Sequence, residues 1–269
     1  MLAVSAGIAA PSPKAPDLAQ VGLPDAAETA KILEQFRQAG IPGEYYLEFQ
    51  LVAMPRRGET KTFNGRLWGS RNEQGAISRV EVTDAQGGQS RLLIQNGERA
   101  TVWRFRDGKV TKLDAAAVFA PLIPGIEITA FDLQMPYVYW PDAKVQAVKR
   151  VLGRPAHAFL FRAPGPIAQQ GKVGAVRAYL DTVYNAMTQT ELLDASGRIV
   201  KTFSLVSLKT VDHQALPKSV DFRNDVTRDK TRMTLTAAAL RLDLGPAPFS
   251  PEALAEEIRP PATRIIQID

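Results

Sequence analysis

The chain has 269 residues, 45% of them hydrophobic, with a formal net charge of +5 at pH 7 and no cysteine. Such a composition excludes an intrinsically disordered chain, and the lack of cysteine excludes disulfides, thiol nucleophiles and thiolate metal sites. The 33 basic residues are scattered among 28 acidic ones with no basic block, so a mildly cationic surface is favoured over nucleic-acid binding.

The N-terminus carries a short run of apolar and small residues at positions 2–10, which a Pro-Ser-Pro sequence follows. Gly7 and Ala9 place small residues at the spacing that a signal peptidase prefers. We therefore interpret residues 1–22 as the remnant of an export signal, with a flexible lead-in as the alternative. No later apolar run is long enough to span a bilayer, so a membrane-spanning protein is not expected.

A helix and a run of strands follow this segment. Residues 25–38 predict a helix, because Asp25 can cap it, Leu33 and Phe36 recur at helical spacing and Gly40 ends it. From residue 44 the apolar period changes to two, and successive short runs are separated by turns that pair glycine with a polar residue. This regularity favours an up-and-down antiparallel sheet over a parallel α/β fold.

Residues 115–140 interrupt the strand pattern. Their second half is apolar and aromatic, with Asp132 as its one charge and Pro136 inside it, so a continuous strand is not expected there. We predict short helices or helical turns laid over the sheet, because the aromatic side chains need an apolar partner.

Strands resume after residue 144 and are clearest at residues 173–208. Three runs rich in β-branched and aromatic residues lie there, and one of the turns between them contains Gly197. Two more strands follow, and residues 249–258 predict a short helix with Pro251 in its first turn.

These elements predict a mainly β (α+β) protein, with a large curved antiparallel sheet of about ten or more strands and a few covering helices. No linker is visible among the strands. Residues 23–269 are therefore predicted to form a single domain with a helical lid insert at about 115–140. The competing interpretation places a domain boundary inside that insert.

No catalytic constellation stands out in the sequence. His157 and His213 lie apart from any ligand or nucleophile motif, and a structural role is favoured for each. Asp221, Asp225 and Asp229 are interleaved with arginine and lysine, which favours surface ion pairs over a cation site. Since no nucleophile elbow, phosphate loop or zinc motif occurs, we predict a protein that is not an enzyme and uses no metal or cofactor. Enzyme activity is the alternative, and it would require a cluster of polar catalytic groups in a cleft.

An apolar surplus remains on the predicted strands and in the insert. These side chains form either a plain core or the lining of a cavity for an acyl chain, and the pattern by itself favours the core. The candidate lining residues are Leu47, Phe49, Phe63, Leu67, Trp103, Phe105, Phe131, Leu133, Met135, Tyr137, Trp140, Phe159 and Phe161.

Five short segments occur in a characteristic order over most of residues 43–242. They are AFDL at 130–133, VLGRP at 151–155, RAYLD at 177–181, ELLDASGRIVK at 191–201 and LPKSV at 216–220. No one of them is specific, but in this order and spacing they resemble the outer-membrane lipoprotein-sorting protein family, which has the LolA-like fold.

The resemblance implies a periplasmic half-barrel of antiparallel strands, closed by helices, whose apolar side holds the lipid chains of lipoproteins in transit. It also implies relatives that carry lipids or act as sensors, so the fold does not fix the cargo. We therefore expect a periplasmic, non-enzymatic carrier of a lipid or lipoprotein acyl chain, with envelope membrane proteins as further candidate partners. The alternative is an envelope interaction or sensor module that docks a protein. Residues 128–140 and 164–171 are the segments expected to move.

Overall fold

The computed structural model describes Leu18 and residues 21–84, 86–170, 172–262 and 265–269. The predicted export signal falls almost entirely outside these residues. Within the described part of the chain, no helix combines the length and the apolar character needed to cross a membrane.

One antiparallel sheet of 14 strands forms most of the molecule. Its strands are β1 (Glu44–Met54), β2 (Lys61–Asn72), β3 (Gly75–Thr83), β4 (Gln89–Gln95), β5 (Thr101–Arg106), β6 (Lys109–Lys112), β7 (Ala143–Val151), β8 (Arg154–Arg162), β9 (Ala175–Asp181), β10 (Met187–Leu193), β11 (Ile199–Val211), β12 (Gln214–Asn224), β13 (Lys230–Leu242) and β14 (Ile266–Gln267). The sheet is curved and does not close, so the predicted mainly β half-barrel is confirmed.

Short helices accompany the sheet. The α-helices are α1 (Ala26–Gln38), α2 (Ala130–Gln134) and α3 (Gly165–Ala168), and 3₁₀ turns cover Ala117–Phe119, Pro136–Tyr139, Ala247–Phe249 and Glu252–Ala255. The start of α1 is fixed by a capping box. The Asp25 side chain accepts a hydrogen bond from the Glu28 N–H at 2.8 Å, and the Glu28 side chain accepts one from the Asp25 N–H at 3.2 Å.

The two halves of the chain join in the middle of the sheet, whose order is β6-β5-β4-β3-β2-β1-β13-β12-β11-β10-β9-β8-β7, with β14 beside β13. β1 pairs with β13 from Glu44 opposite Leu242 to Met54 opposite Lys230. Every other pairing among the described strands joins strands consecutive in sequence. β6 and β7 therefore lie at opposite edges, and the segment between them, residues 113–142, runs from one edge to the other. We call this segment the insert.

The two faces of the sheet are covered by different segments. We define the inner face as the one on which β1 presents Phe49, Leu51 and Ala53, which share a core with α1 and the insert. The outer face carries the alternating side chains, such as Tyr46 and Trp68, which pack against residues that follow β13. Both faces are thus covered over β1 and β2, each by a different part of the chain.

Residues 246–258, which we call the strap, lie across the outer face of the first half of the sheet. Leu254 of the strap is fully buried and packs against Ile77 of β3 and Leu93 of β4. The short helix predicted for residues 249–258 is reduced to 3₁₀ turns, although the Ser250 hydroxyl does accept a hydrogen bond from the Ala253 N–H at 3.2 Å.

Two buried arginines explain the conformation of the strap. The Arg79 guanidinium donates hydrogen bonds to the carbonyl oxygens of Ala253 at 2.7 Å and Glu256 at 2.5 Å. The Arg91 guanidinium donates to the two carbonyl oxygens between them, at 3.1 and 3.0 Å. Since these carbonyls accept from arginine, they do not need the N–H groups of a continuing helix.

Two glycines of β2 make room for aromatic rings on the inner face. A Cβ atom at Gly65 would lie 2.3 Å from the ring of Phe49, and one at Gly69 would lie 2.1 Å from the ring of Tyr45. Without these glycines the rings could not lie across the neighbouring strand. The two rings therefore form part of the surface that faces the insert.

Candidate functional site

The helix of the insert is short because its sequence starts and stops it within five residues. The Thr129 hydroxyl accepts a hydrogen bond from the Asp132 N–H at 3.2 Å, and the Asp132 carboxylate accepts one from the Thr129 N–H at 2.8 Å. Met135 then adopts a left-handed conformation with φ of 49°, and Pro136 begins a 3₁₀ turn. The predicted helical turns with a break at Pro136 are therefore confirmed.

Aromatic side chains of the insert fill the space above the inner face. The ring of Phe131 is fully buried, with its centroid 4.5 Å from that of Phe119, 6.0 Å from that of Tyr137 and 6.1 Å from that of Trp140. Tyr137 reaches the sheet itself, 5.7 Å from Phe161 of β8. Tilted contacts at these distances are favourable, so the insert and the sheet share one aromatic core.

An ion pair fastens the insert to the second half of the sheet. Lys201 Nζ of β11 donates to the Asp132 carboxylate, and the two side chains are only 13% and 4% exposed. The carboxylate that caps α2 is therefore also the one that holds α2 against the sheet. A buried pair of this kind contributes to position more than to net stability, but the loss of one partner is costly.

Two further hydrogen bonds hold the other borders of the insert. Gln134 Nε2 donates to the carbonyl oxygen of Gln95 in β4 at 2.9 Å, and Arg37 Nε of α1 donates to the carbonyl oxygen of Val138 at 2.9 Å. The insert is thus bound to both halves of the sheet and to α1. Glu127 and Tyr137 make further hydrogen bonds to the sheet, and most of the buried side chains of the insert are apolar.

The middle of the insert, just before α2, carries a half-buried carboxyl. The Glu127 N–H donates to the Thr231 hydroxyl at 2.8 Å, and the Glu127 carboxylate accepts from Asn224 Nδ2 at 3.2 Å. Burial raises the pKa of Glu127 above its usual range, and the Asn224 hydrogen bond and the nearby Lys201 oppose this shift. Glu127 therefore gains a proton more readily than an exposed glutamate.

A narrow crevice, which we call the inner crevice, separates the insert from the sheet. One part has a volume of about 30 Å³ and a second part about 10 Å³, and both are lined by Tyr45, Ser78 and Leu133. Burial raises the pKa of Tyr45 to about 12, so its phenol stays neutral. The larger part has room for about two water molecules. The insert is therefore packed closely against the inner face.

Polar groups able to do chemistry are dispersed over the molecule. Burial beneath α1 lowers the pKa of His157. The hydrogen bond with the Gly22 backbone and the charge of Glu28 oppose this shift. His213 lies in the turn between β11 and β12 with φ of 64°. Asp221 is paired with Arg232 at 2.7 Å. Among the described residues, no group of three or more acidic or histidine side chains could hold a metal ion.

Comparison with known proteins identifies the architecture. No family model matches the chain, and no curated protein matches it in sequence. An outer membrane lipoprotein-sorting protein domain from Vibrio parahaemolyticus superposes on 85% of this chain and 97% of its own, with 14% identity and a TM-score of 0.72. A LolA superfamily protein from Nitrosomonas europaea covers 82% and 96%, with 13% identity and a TM-score of 0.63. The chain has the LolA-like fold.

A DUF1329 family protein from Desulfovibrio piger has the same LolA-like architecture. It covers 83% of this chain and 96% of its own, with 13% identity and a TM-score of 0.70. The resemblance that the sequence suggested is therefore confirmed at the level of the fold. At such low identity the LolA-like fold does not determine what is bound.

Most of the predicted lining residues lie together on the inner face of the LolA-like half-barrel. One core cluster contains Phe49, Phe63, Phe131, Leu133, Met135, Tyr137, Trp140, Phe159 and Phe161. Leu47 belongs to an adjoining cluster, and the half-buried Leu67 packs against both. Of these residues, Leu47, Leu67 and Leu133 line the larger part of the inner crevice. Their role in binding a lipid stays a prediction.

Trp103 and Phe105 do not join this set. Both point to the outer face and pack against the cluster that contains Leu254 of the strap, while Val102 of the same strand belongs to the inner core. The prediction that they line the same space as Phe49 therefore needs correction. Alternation along β5 separates Val102 from Trp103 and Phe105, but it does not tell which of the two faces is the inner one.

The sequence missed several residues of the crevice. Leu216 of β12 and Met233 and Leu235 of β13 line its wall, together with Ile41 before β1. Met233 and Leu235 come near Leu47 because β13 pairs with β1. No local pattern in the sequence announces that pairing, although the alternation of β13 does mark Met233 and Leu235 as facing one side.

Proposed function

We propose that this protein is a non-enzymatic periplasmic carrier that binds the acyl chain of a lipid or lipoprotein between the inner face and the insert. The observation that carries the proposal is the way the inner face is closed. The insert, a single segment between the two edge strands, supplies the apolar partner that the sheet needs. The likeness to lipoprotein-sorting and LolA superfamily structures supports the same assignment.

Burial of an acyl chain would offset part of the packing that is lost when the insert moves away from the sheet. Burial gains about 0.8 kcal/mol for each CH₂ group, so a chain of ~15 methylenes gains about 12 kcal/mol. The inner crevice, at about 30 Å³, is too small for such a chain, so the insert must move outward on loading. The chain would then contact the surface that Phe131 and Leu133 cover in the closed state. Release requires a partner or a second movement of the insert.

A larger residue at Ser78 tests the crevice directly, because Ser78 lines both of its parts. We expect Ser78→Phe to reduce the affinity for a fluorescent fatty acid about tenfold or more, since the ring occupies the path of the chain. Ser204→Phe is the matched control, because Ser204 is a half-buried serine in the middle of β11 that does not line the crevice. Fluorescence titration gives both affinities, and native mass spectrometry reports lipid that co-purifies.

The wild-type protein must bind for the proposal to stand. No lipid in native mass spectra together with no uptake of the fluorescent fatty acid would refute acyl-chain binding. Equal affinity of Ser78→Phe and the wild type would show that the ligand binds outside the inner crevice.

An envelope docking module is the second candidate, favoured by one exposed strand edge. Beyond Ser204, β11 pairs only with β12 in the described part of the chain, and Val206 and Leu208 are 43% and 50% exposed. An apolar edge of this kind can pair with an added strand. We expect Leu208→Lys to abolish capture of a defined envelope protein while Ser78→Phe leaves it intact. If Leu208→Lys still captured the envelope protein and Ser78→Phe did not, docking at this edge would be excluded.

A further inference from the structure

An open basin lies at the end of α1, beside the inner crevice. Its volume is about 520 Å³, and its walls come from α1, the β2–β3 turn, the β4–β5 loop and the insert. Its charged side chains are Arg37, Arg71, Arg99, Glu34, Glu73 and Glu98. Since cations and anions are equal in number, the formal charge of this rim basin is zero.

A cluster of neutral amides separates the rim basin from the inner crevice. Asn72 Nδ2 donates to Gln95 Oε1 at 2.8 Å, and Gln95 Nε2 donates to the carbonyl oxygen of Asn96 at 2.8 Å. The main chain of Gln95 accepts from Gln134 of the insert. Asn72 lines the rim basin, whereas Asn96 and Gln134 line the crevice. The amide cluster therefore spans the boundary between the two spaces.

Polarity rises in steps from the crevice to the basin. Apolar side chains such as Leu47 and Leu133 come first, the amides follow, and the charged side chains come last. A glycerophospholipid has the same order along its length: an acyl chain, ester carbonyls and a charged headgroup. Amide N–H groups donate to ester carbonyls, and charged side chains form the stronger hydrogen bonds to a charged headgroup.

Some charged side chains of the rim basin are available to bind a ligand. Arg71 Nη2 donates to the carbonyl oxygen of Arg37 at 3.0 Å, so Arg71 is partly engaged at the end of α1. Arg99, Glu73 and Glu98 make no hydrogen bond or ion pair with any residue that the structure describes. Isolated surface charges are ordinarily just solvated. These differ because they converge on one basin at the end of an apolar crevice.

We propose that the rim basin binds the headgroup of a zwitterionic glycerophospholipid, an inference that rests on the proposed binding of an acyl chain in the crevice. Arg71 and Arg99 bind the phosphate, and Glu73 and Glu98 bind the ammonium group. A purely anionic headgroup would meet the carboxylates as well as the arginines. A free fatty acid ends at the position of the ester carbonyl, beside the amide cluster, and would leave the whole basin unused.

Three ligands with one palmitoyl chain test the headgroup. Lysophosphatidylethanolamine, lysophosphatidylglycerol and palmitate are titrated against a bound fluorescent fatty acid. We expect the full-length protein to bind lysophosphatidylethanolamine about tenfold more tightly than the other two, the factor that one or two charge-assisted hydrogen bonds supply.

Substitutions in the rim basin test the roles of its individual charged side chains. Arg99→Ala is expected to remove the advantage of lysophosphatidylethanolamine over palmitate and to leave the palmitate affinity unchanged. Glu73→Gln combined with Glu98→Gln is expected to turn the preference toward lysophosphatidylglycerol, because the repulsion of an anionic headgroup is gone. Arg106→Ala, which removes an exposed arginine outside the basin, is the control and is expected to bind as the wild type does.

The outcomes separate this proposal from the one on which it rests. Equal affinities of the wild type for all three ligands overturn the headgroup site and leave acyl-chain binding standing. No binding of any of the three overturns both. An equal loss of palmitate and lysophosphatidylethanolamine in Arg99→Ala shows that Arg99 acts on the crevice, which also overturns the headgroup site.

Discussion

Replacing Lys201 with methionine is expected to lower the free energy of unfolding by about 3 kcal/mol, because the Asp132 carboxylate is left buried with no cation beside it. Asp132 is 4% exposed in the folded protein. Its hydrogen bonds with Thr129 remain, so the loss falls at the lower end of the range for broken buried pairs. Urea denaturation followed by far-UV circular dichroism measures the difference.

Two companion variants isolate the pair. Lys209→Met removes an exposed lysine from the same strand and is expected to change stability by less than about 0.5 kcal/mol. Asp132→Asn in the Lys201→Met background removes the unpaired charge but keeps an oxygen for the Thr129 N–H, so more than half of the lost stability should return. If Lys201→Met were as stable as Lys209→Met, the pair would not hold the insert.

Replacing Phe131 with alanine is expected to lower the free energy of unfolding by about 3–5 kcal/mol, the usual cost of truncating a fully buried aromatic side chain. The ring is fully buried and contacts Phe119, Tyr137 and Trp140. Because the insert contributes these contacts, we also expect the folded variant to bind the dye ANS, which reports exposed apolar surface. Denaturation and dye fluorescence are measured on the same preparation.

The control for this variant is Val226→Ala, which truncates a side chain that is 60% exposed. It should change stability by less than about 0.5 kcal/mol and bind no ANS. A Phe131→Ala protein with full stability and no dye binding would show that the insert does not depend on its aromatic core.

The local elements of the fold could be predicted from the sequence because their signals are local. Alternating side chains and glycine turns predicted the two series of neighbouring strands, the meanders β1–β6 and β7–β13. The capping residues of α1 predicted its start, and Pro136 predicted the break in the insert. The pairing of β1 with β13 could not be predicted. It joins the two ends of the chain, and the pairing choice depends on which strands meet in space.

The candidate site was predicted in part for the same reason. Residues of the insert and of β1, β2 and β8 were found, because their apolar side chains recur at regular spacing. Trp103 and Phe105 were misplaced, since only the distant Leu254 decides which face of β5 is covered by the strap. The burial of Arg79 and Arg91 was not predicted either, because no signal in the neighbouring sequence indicates that the strap covers them. A crevice volume depends on packing that periodicity cannot measure.

The pairing of β1 with β13 also dictates when the site can form during folding. Each meander assembles from neighbouring strands, whose short loops cost little entropy to close. The β1–β13 pairing must close across most of the chain, so we expect it to be the slow step. The insert binds β4 through Gln134 and β11 through Asp132, so it seats only after the two halves have met. We therefore expect a newly made chain to pass through a stage in which each half of its apolar inner face is assembled but still exposed to solvent.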